Sequence, residues 1–279
     1  MTRIALFQAR TGIDPASNAR ALVSAIEQAA AGGAIMLFTP EMSGLLDRDR
    51  SRAAPRYARE EDDPVLAAVR DAAARTGLWV HLGSLAVRDG EGAGEGDLLA
   101  NRGFVIDGSG AIRARYDKLH LFDIDLPTGE SWRESASYRP GARAVVADTP
   151  AGPLGLAICY DLRFSALFHA LTDAGAAILS IPAAFTVPTG RAHWEVLLRA
   201  RAIEAGLFVI AAAQAGVHED GRVTYGHSLV ADPWGDLLLD MGDATGVAFA
   251  DVDLGRITDI RSRLPALAHR KPIGDVTLS

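Results

Sequence analysis

Cysteine is nearly absent from this chain of 279 residues, in which Cys159 is the only one. One cysteine excludes an internal disulfide and a multi-cysteine zinc site, and a reducing cytoplasm is its simplest location. The chain also lacks an apolar run approaching the ~18 residues of a membrane-spanning helix. Residues 1–8 hold one basic residue and a short apolar stretch, which predicts a first strand and not a signal peptide. We therefore expect a cytoplasmic protein that does not bind a membrane.

Basic residues are also fewer than acidic residues. The chain has 28 Lys and Arg residues against 35 Asp and Glu residues, and its net charge of −7 argues against nucleic acid as a partner. It contains no His-Glu-x-x-His segment, cysteine cluster or glycine-rich phosphate loop, so the sequence predicts no metal and no organic cofactor. Hydrophobic residues at 49% and charged residues at 23% are ordinary globular values, which exclude a disordered or fibrous chain.

Apolar periodicity predicts that strands and helices alternate in both halves of the chain. Helices are predicted at 16–31, 64–75, 164–173 and 193–204, and strands at 4–8, 34–38, 79–87, 101–106, 111–116, 144–147, 154–158, 177–181, 207–213, 228–231, 237–240 and 247–252. The stretches 90–96 and 118–141 have no clear period and predict loops. Since no linker-like change of composition occurs, we expect one α/β domain with helices outside one or two mixed sheets. Residues 264–279 form a tail with little core of its own.

Glu41, Lys118 and Cys159 each follow a predicted strand directly. Because sites in α/β sheets form outside the carboxyl ends of strands, we expect these side chains to converge in one cleft. The thiolate is the nucleophilic form of cysteine and needs a nearby base or cation at neutral pH. Glu41 is suited to take the thiol proton and pass it to a leaving amine, and Lys118 to stabilise an oxyanion. The alternatives are an inert buried cysteine and two solvated surface charges.

The blocks around these residues resemble the signatures of the nitrilase superfamily of carbon–nitrogen hydrolases. They read Thr39-Pro40-Glu41, Tyr116-Asp117-Lys118-Leu119-His120 and Ile158-Cys159-Tyr160-Asp161-Leu162-Arg163, followed by similar blocks at 192–195, 199–204, 225–228 and 232–235. Their order and spacing cover almost the whole chain, which is far more specific than any single block. The resemblance implies an α/β fold that is a four-layered α-β-β-α sandwich, with one domain at 1–263 and a C-terminal tail at 264–279 that crosses to a partner subunit in a homodimer.

The same resemblance implies a Glu-Lys-Cys triad. In it, Glu41 is the general base and acid, Lys118 stabilises the oxyanion, and Cys159 is the nucleophile. The backbone N–H of Tyr160 is the implied second oxyanion donor. The family has a further glutamate before a Pro-Gly pair, and Glu134 fits that spacing while its rival Glu130 fits it poorly.

Other polar residues near these blocks have two interpretations each. Arg163 lies four residues after the nucleophile and is either a ligand for a substrate carboxylate or part of a structural salt bridge. Arg191 is a weaker carboxylate ligand, and it stands where related chains often have proline. His193 is either a packing residue or part of the site wall. His120 raises the alternative of a Cys-His hydrolase, although it belongs to a motif whose base is glutamate.

Within the superfamily, the chain is most similar to the Nit branch, in which two amidase activities are known. Deaminated glutathione amidase and ω-amidase both pass a 2-oxoglutaryl group to the cysteine, and they differ in the leaving amine, cysteinylglycine or ammonia. The blocks at 211–216 and 195–201 look more like the first, so we expect hydrolysis of deaminated glutathione. The alternatives are an ω-amidase acting on α-ketoglutaramate or α-ketosuccinamate and, more remotely, a non-catalytic nitrilase-fold binding protein.

Overall fold

The computed structural model describes residues 1–88, 98–125, 129, 131–274 and 276–277. The predicted loop at 90–96 and Glu130 lie outside these described residues. The helices and strands are β1 (Thr2–Gln8), α1 (Pro15–Ala31), β2 (Met36–Phe38), α2 (Arg50–Ala53), α3 (Pro64–Thr76), β3 (Trp79–Arg88), β4 (Leu99–Ile106), β5 (Ile112–Asp117), β6 (Asp123–Asp125), β7 (Ser131–Arg133), β8 (Tyr138–Arg139), β9 (Val146–Ala147), β10 (Leu154–Leu156), α4 (Ser165–Asp173), β11 (Ile178–Ser180), α5 (Val187–Ala205), β12 (Phe208–Ala211), β13 (Ala215–Val217), β14 (Val223–Tyr225), β15 (Leu229–Ala231), β16 (Leu237–Asp240), β17 (Gly246–Val252), α6 (Gly255–Arg263) and α7 (Ala266–His269). Single 3₁₀ turns occupy Ala54–Arg56, Glu60–Asp62, Glu134–Ala136 and Cys159–Arg163.

Two mixed sheets form the centre of the fold. The first has the strand order β17-β1-β2-β3-β4-β5 with β8 beside β4, and the second has the order β16-β15-β12-β11-β10-β9. In both sheets three neighbouring strands are parallel, β1-β2-β3 and β10-β11-β12, and antiparallel strands flank them. Each half of the chain thus builds one sheet, and β17 returns to complete the first.

The side chains of β1 show how the layers stack. Successive residues of a strand point to opposite faces. Ile4 and Leu6 lie in a core shared with the second sheet, whereas Ala5 between them packs with the helical layer that contains α1 and α3. On the far side, residues of α4 and α5, such as Phe168 and Trp194, cover the second sheet. The predicted α-β-β-α sandwich is therefore confirmed, with its two apolar cores on either side of the first sheet.

Helix α3 begins and ends where the sequence signals place it. Asp63 accepts hydrogen bonds from the N–H groups of Val65 and Leu66, Pro64 occupies the first turn, and Gly77 ends the helix at a φ of +73°.

The start of α5 was wrongly predicted at His193, because the helix begins at Val187. Pro188 and Gly190 made this stretch look non-helical. Proline is tolerated in a first turn, where its missing N–H costs no hydrogen bond. A Cβ at Gly190 would lie 2.2 Å from the ring of Tyr225, so the close packing of α5 on β14 requires glycine there.

The stretch predicted as one long loop, 118–141, contains short strands. Strands β6 and β7 pair antiparallel, and the guanidinium of Arg133 donates to both carboxylate oxygens of Asp125 at 2.9 Å. Three-residue strands are too short to show a period, which is why the sequence pattern missed them. Across the described residues, no helix has both the length and the apolar character needed to cross a membrane.

Candidate active site

Glu41, Lys118 and Cys159 meet in one cavity of about 960 Å³. Glu41 follows β2 and Lys118 follows β5 in the first sheet, whereas Cys159 comes after β10 in the second. All three are buried, with exposed fractions of 5%, 2% and 8%. The alternative of solvated surface charges at Glu41 and Lys118 is therefore wrong. The cavity opens where the ends of strands from both sheets come together.

The turn that carries Cys159 has an unusual backbone. Cys159 has a φ of +51°, which is uncommon for a residue with a Cβ, and its N–H donates to the carbonyl of Pro182 at 2.9 Å. Such conformations persist when the surrounding structure holds them, and they concentrate at functional sites. The residue starts a 3₁₀ turn that also contains Tyr160, and both residues line the cavity.

Asp161 anchors this turn. Its buried carboxylate accepts hydrogen bonds from the N–H of Ile158 at 2.9 Å and from the hydroxyl of Tyr116 at 2.7 Å. It also accepts from the N–H of His120 at 3.0 Å, and His120 Nδ1 lies 2.7 Å from it. The ring of His120 stacks on Phe164 at 3.7 Å. The structure thus places His120 on Asp161, and His120 is not among the described residues that line the cavity.

Three donors orient the carboxylate of Glu41. Its Oε1 accepts from Lys118 Nζ and from Asn101 Nδ2, both at 3.0 Å, and its Oε2 accepts from the N–H of Ala184 at 2.9 Å. The backbone of this segment is also held close to β3. A Cβ at Gly83 would lie 2.1 Å from the carbonyl oxygen of Thr39, so only glycine permits that approach.

Lys118 is shared between two carboxylates. Besides Glu41, Glu134 accepts from its Nζ at 3.1 Å and 2.8 Å, and Glu134 Oε2 also accepts from the N–H of Phe122 at 2.7 Å. Burial disfavours the charged ammonium, but the attraction of Glu134, Glu41 and Cys159 outweighs it and raises the pKa of Lys118 well above its usual value. Lys118 is therefore a permanent cation at neutral pH.

Cys159 rests as a thiol. Burial raises the pKa of Cys159 well above its usual value, and the charge of Glu41 and a hydrogen bond to it act in the same direction. Lys118 and the N–H of Ala184 oppose this shift without reversing it. A buried thiol beside a carboxylate reacts by passing its proton to that carboxylate during attack, so the arrangement suits a coupled proton transfer.

The predicted substrate-binding residues lie outside the described lining of the cavity. The guanidinium of Arg163 lies over the rings of Tyr160 and Phe185, at 5.8 Å and 5.7 Å, and both rings line the cavity. Arg163 also approaches His193 Nδ1 at 3.3 Å. Arg191 and His193 are exposed on α5. Their roles in binding stay predictions.

Several groups at the site are not predicted from the sequence pattern. Asn101 joins Glu41 to Glu134, since its Nδ2 also approaches Glu134 Oε1 at 3.2 Å. The available signal was a polar amide at the start of an apolar strand. The N–H groups of Ala184 and Phe122 carry no signal, because backbone donors look alike in every sequence. Within the ranges that the structure describes, no group of three His, Cys, Asp or Glu side chains is arranged to hold a metal.

Comparison with known proteins gives a consistent result. Residues 3–262 match the carbon-nitrogen hydrolase family. The deaminated glutathione amidase of Yersinia enterocolitica is 39% identical over 269 residues, which cover 96% of this chain and 92% of that protein. The crystal structure of the C. elegans NitFhit protein is similar with a TM-score of 0.89 and 36% identity, covering 97% of this chain and 65% of that chain. The fold is also that of Saccharomyces cerevisiae Nit3, a nitrilase-superfamily member, with a TM-score of 0.83, 24% identity and coverage of 95% and 94%.

Proposed function

Given that this chain belongs to the carbon–nitrogen hydrolase family and is an amide hydrolase, we propose that its substrate is deaminated glutathione and that its products are 2-oxoglutarate and cysteinylglycine. The observation that carries the proposal is the buried cluster of Glu41, Lys118 and Cys159 in a cavity of about 960 Å³. That volume is near the upper end of ordinary small-molecule sites, roughly 300–1,000 Å³. It suits a substrate of tripeptide size better than a five-carbon amide.

In the first half of the reaction, the Sγ of Cys159 attacks the amide carbonyl while Glu41 takes the thiol proton. The developing oxyanion is stabilised by the ammonium of Lys118 and the N–H of Tyr160. As the C–N bond breaks, Glu41 gives the proton to the leaving amine. Cysteinylglycine departs, and the 2-oxoglutaryl group remains as a thioester on Cys159.

In the second half, water attacks the thioester carbonyl. Glu41 takes a proton from the water, Lys118 and the N–H of Tyr160 again stabilise the oxyanion, and the C–S bond breaks. Cys159 leaves as a thiol after recovering the proton from Glu41, and 2-oxoglutarate is released. Glu134 and Asn101 act by positioning, because they hold Lys118 and Glu41 without being needed as proton carriers.

The carboxylate beside the 2-oxo group needs a cationic partner. Arg163 is our candidate, with Arg191 weaker and His193 as part of the wall. A guanidinium binds a carboxylate through two parallel hydrogen bonds. Support for Arg163 comes from its contacts with Tyr160 and Phe185, since both of those rings face the cavity.

We further propose that residues 1–263 act as the hydrolase domain of a cytoplasmic homodimer in which the tail 264–279 crosses to the partner. Support for the dimer is the exposure of large apolar side chains on α5 and beside β15. Val196, Ile203 and Trp234 are 68%, 47% and 54% exposed. Sedimentation equilibrium of the full chain tests this, and a monomer at micromolar concentration contradicts it.

A direct kinetic comparison of deaminated glutathione and α-ketoglutaramate tests the substrate. Both deliver the same acyl group to Cys159, so the difference must arise in binding and acylation, which single-turnover kinetics separates. We expect kcat/KM to favour deaminated glutathione by ~10- to a few hundred-fold, the scale of one additional well-placed contact. Equal or better turnover of α-ketoglutaramate would establish the ω-amidase alternative. A chain without turnover of any amide would be the non-catalytic binding protein.

A further inference from the structure

The guanidinium groups of two arginines lie near one tryptophan ring on the wall of the cavity. The guanidinium carbon of Arg222 lies 4.9 Å from the ring centroid of Trp132, and that of Arg48 lies 5.7 Å from it. All three residues line the cavity that holds Cys159. They come from three separate segments, Arg48 before α2, Trp132 on β7 and Arg222 before β14. We call Arg48, Trp132 and Arg222 the Arg-Trp-Arg cluster.

The cluster carries more positive than negative charge. Its nearest carboxylate is Asp220, at 3.5 Å from Arg222 Nη2, which is a long contact. Asp220 is already engaged, because its carboxylate accepts hydrogen bonds from the backbone N–H groups of Arg48 and Arg222, both at 2.9 Å. Asp220 therefore pairs only loosely with the guanidinium of Arg222, and it meets Arg48 through the backbone N–H. Burial lowers the pKa of Arg222, the charge of Asp220 opposes this, and the charge of Arg48 adds to it, so an incoming anion would stabilise the pair.

Two other arginines on the same wall, Arg133 and Arg88, are already occupied. The Nη2 of Arg133 donates to both carboxylate oxygens of Asp125, each at 2.9 Å. Arg88 donates to the carbonyl oxygens of Tyr57 and Ala54, at 3.0 Å and 2.8 Å. These guanidinium groups stabilise the wall through hydrogen bonds within the protein, so they are poor candidates for binding a substrate.

The hydrogen bonding of the cluster is also incomplete. Trp132 Nε1 and Arg222 Nε are buried, and neither has an acceptor among the residues that the structure describes. Buried N–H groups are nearly always paired in folded proteins, and leaving one unpaired costs free energy. Two unpaired donors beside two cations indicate that this part of the wall is built to receive an acceptor group.

The position of the cluster suits one end of the substrate. The ring of Phe122 contacts both the ring of Tyr160, at 5.1 Å, and the ring of Trp132, at 6.2 Å. The cluster is thus two ring contacts away from Tyr160, the residue after the nucleophile. An extended dipeptide spans ~7 Å, so a leaving cysteinylglycine extends well beyond the reacting carbon along the cavity wall. Arg163, the candidate for the other carboxylate, lies over the Tyr160 ring at 5.8 Å.

We propose that Arg222 and Arg48 bind the glycine carboxylate of the leaving cysteinylglycine, with the Trp132 ring packed against both guanidinium groups. This inference rests on the proposed substrate. Deaminated glutathione carries two carboxylates, one beside the 2-oxo group and one on glycine. α-Ketoglutaramate carries only the first. The cluster then determines which of the two amides the enzyme prefers.

The first test needs only the wild-type enzyme and three substrates: deaminated glutathione, the same molecule with its glycine carboxylate converted to a methylamide, and α-ketoglutaramate. We expect kcat/KM for the methylamide to be ~10- to 100-fold lower than for deaminated glutathione, mainly through KM, because a charge-assisted pair is lost. Equal values for these two substrates would overturn the inference and leave the proposed function intact. Poor turnover of deaminated glutathione relative to α-ketoglutaramate would instead refute the proposed function.

The second test uses Arg222→Gln and Arg48→Gln, with Arg75→Gln as the control. Arg75 is exposed and outside the cavity, so this variant reproduces the change in net charge alone. Each cluster variant is expected to lower kcat/KM for deaminated glutathione by ~10-fold or more and to leave the values for the methylamide and α-ketoglutaramate nearly unchanged. Equal losses on all three substrates would overturn the inference. If Arg222→Gln does not fold, Arg48→Gln and the wild-type comparison decide it.

Discussion

The hydroxyl of Tyr116 donates a hydrogen bond of 2.7 Å to the carboxylate of Asp161 and thereby ties the first sheet to the turn that carries Cys159. Tyr116 is the residue before Asp117 at the end of β5, two positions from Lys118. The same short segment therefore carries Lys118 and holds the turn that contains Cys159. Proton transfer between Glu41 and Cys159 depends on the distance between the two sheets, and this bond helps to set it.

Removing that hydroxyl is expected to affect both stability and rate. Tyr116→Phe leaves a buried carboxylate short of one donor, which costs ~1–3 kcal/mol of unfolding free energy. Because the turn then moves, we expect kcat to fall while KM changes little. Urea unfolding and steady-state kinetics measure the two effects. Asp161→Asn is the stronger variant, since the N–H of Ile158 and the hydroxyl of Tyr116 would both face an amide. Unchanged kcat in both variants would show that this bond has no influence on the nucleophile.

Cys159 is expected to form a covalent intermediate. Cys159→Ala should fold normally and lose turnover, because the side chain is small and its removal leaves no buried charge. In Glu41→Gln, loss of the general base should slow hydrolysis of the thioester. Intact mass spectrometry after mixing this variant with substrate should show a 2-oxoglutaryl adduct. Turnover by Cys159→Ala at the wild-type rate would rule out the nucleophile.

Substitutions of Glu41 and Lys118 are expected to have similar effects on kcat and different effects on the stability of the folded protein. Glu41→Gln and Lys118→Met should each lower kcat by ~10²–10⁴-fold, the scale of a lost acid–base group or oxyanion donor. Glu41→Gln leaves Lys118 paired with Glu134 and should melt near the wild-type temperature. Lys118→Met leaves the buried carboxylate of Glu41 and the partly buried carboxylate of Glu134 without a cation, which is expected to cost ~3–5 kcal/mol of unfolding free energy.

The control for this pair is Glu195→Gln, an exposed residue on α5 whose partner Arg199 lies one turn away. It should change neither kcat nor the melting temperature. Equal melting temperatures for Lys118→Met and Glu41→Gln would contradict the shared role of Lys118 between Glu41 and Glu134.

His81 is expected to make the protein sensitive to acid. It is fully buried between the sheets, its Nδ1 lies 2.8 Å from Ser180 Oγ, and burial lowers its pKa to about 3. The unfolded chain binds a proton near pH ~6.5, whereas the folded chain does not until about pH 3. The stabilisation from neutral His81 is therefore present above pH ~6.5 and is lost as the pH falls towards 3, at most roughly 4–5 kcal/mol.

Melting temperatures measured from pH 7 to pH 4 check this expectation. His81→Gln removes the titrating group while keeping a polar side chain near Ser180, so its melting temperature should fall less steeply with acid than that of wild type. Parallel curves for the two proteins would mean that other groups govern the acid sensitivity.

Local patterns in the sequence determined much of the fold. Alternating polarity and capping residues such as Asp63 and Gly77 depend only on neighbours along the chain, so α1, α3, α4 and the longer strands are predicted well. The strand-end positions of Glu41, Lys118 and Cys159, and the blocks around them, likewise identified the family and the reaction class. Short strands, residues 187–192 of α5 and all of α6 were missed. Three residues show no period, and Pro188 obscured the start of α5.

Only the tertiary structure decided how the site is assembled. Glu41 receives its donors from Asn101, 60 residues away, and from Ala184, 143 residues away. The Arg-Trp-Arg cluster likewise joins segments that no local pattern relates. Such pairs are brought together by the packing of one sheet on the other, which buries apolar side chains without regard to distance along the chain. For that reason the sequence by itself identified Glu41, Lys118 and Cys159 as candidates, and the folded structure alone determined their hydrogen bonds, their burial and the pKa shifts of Lys118 and Cys159.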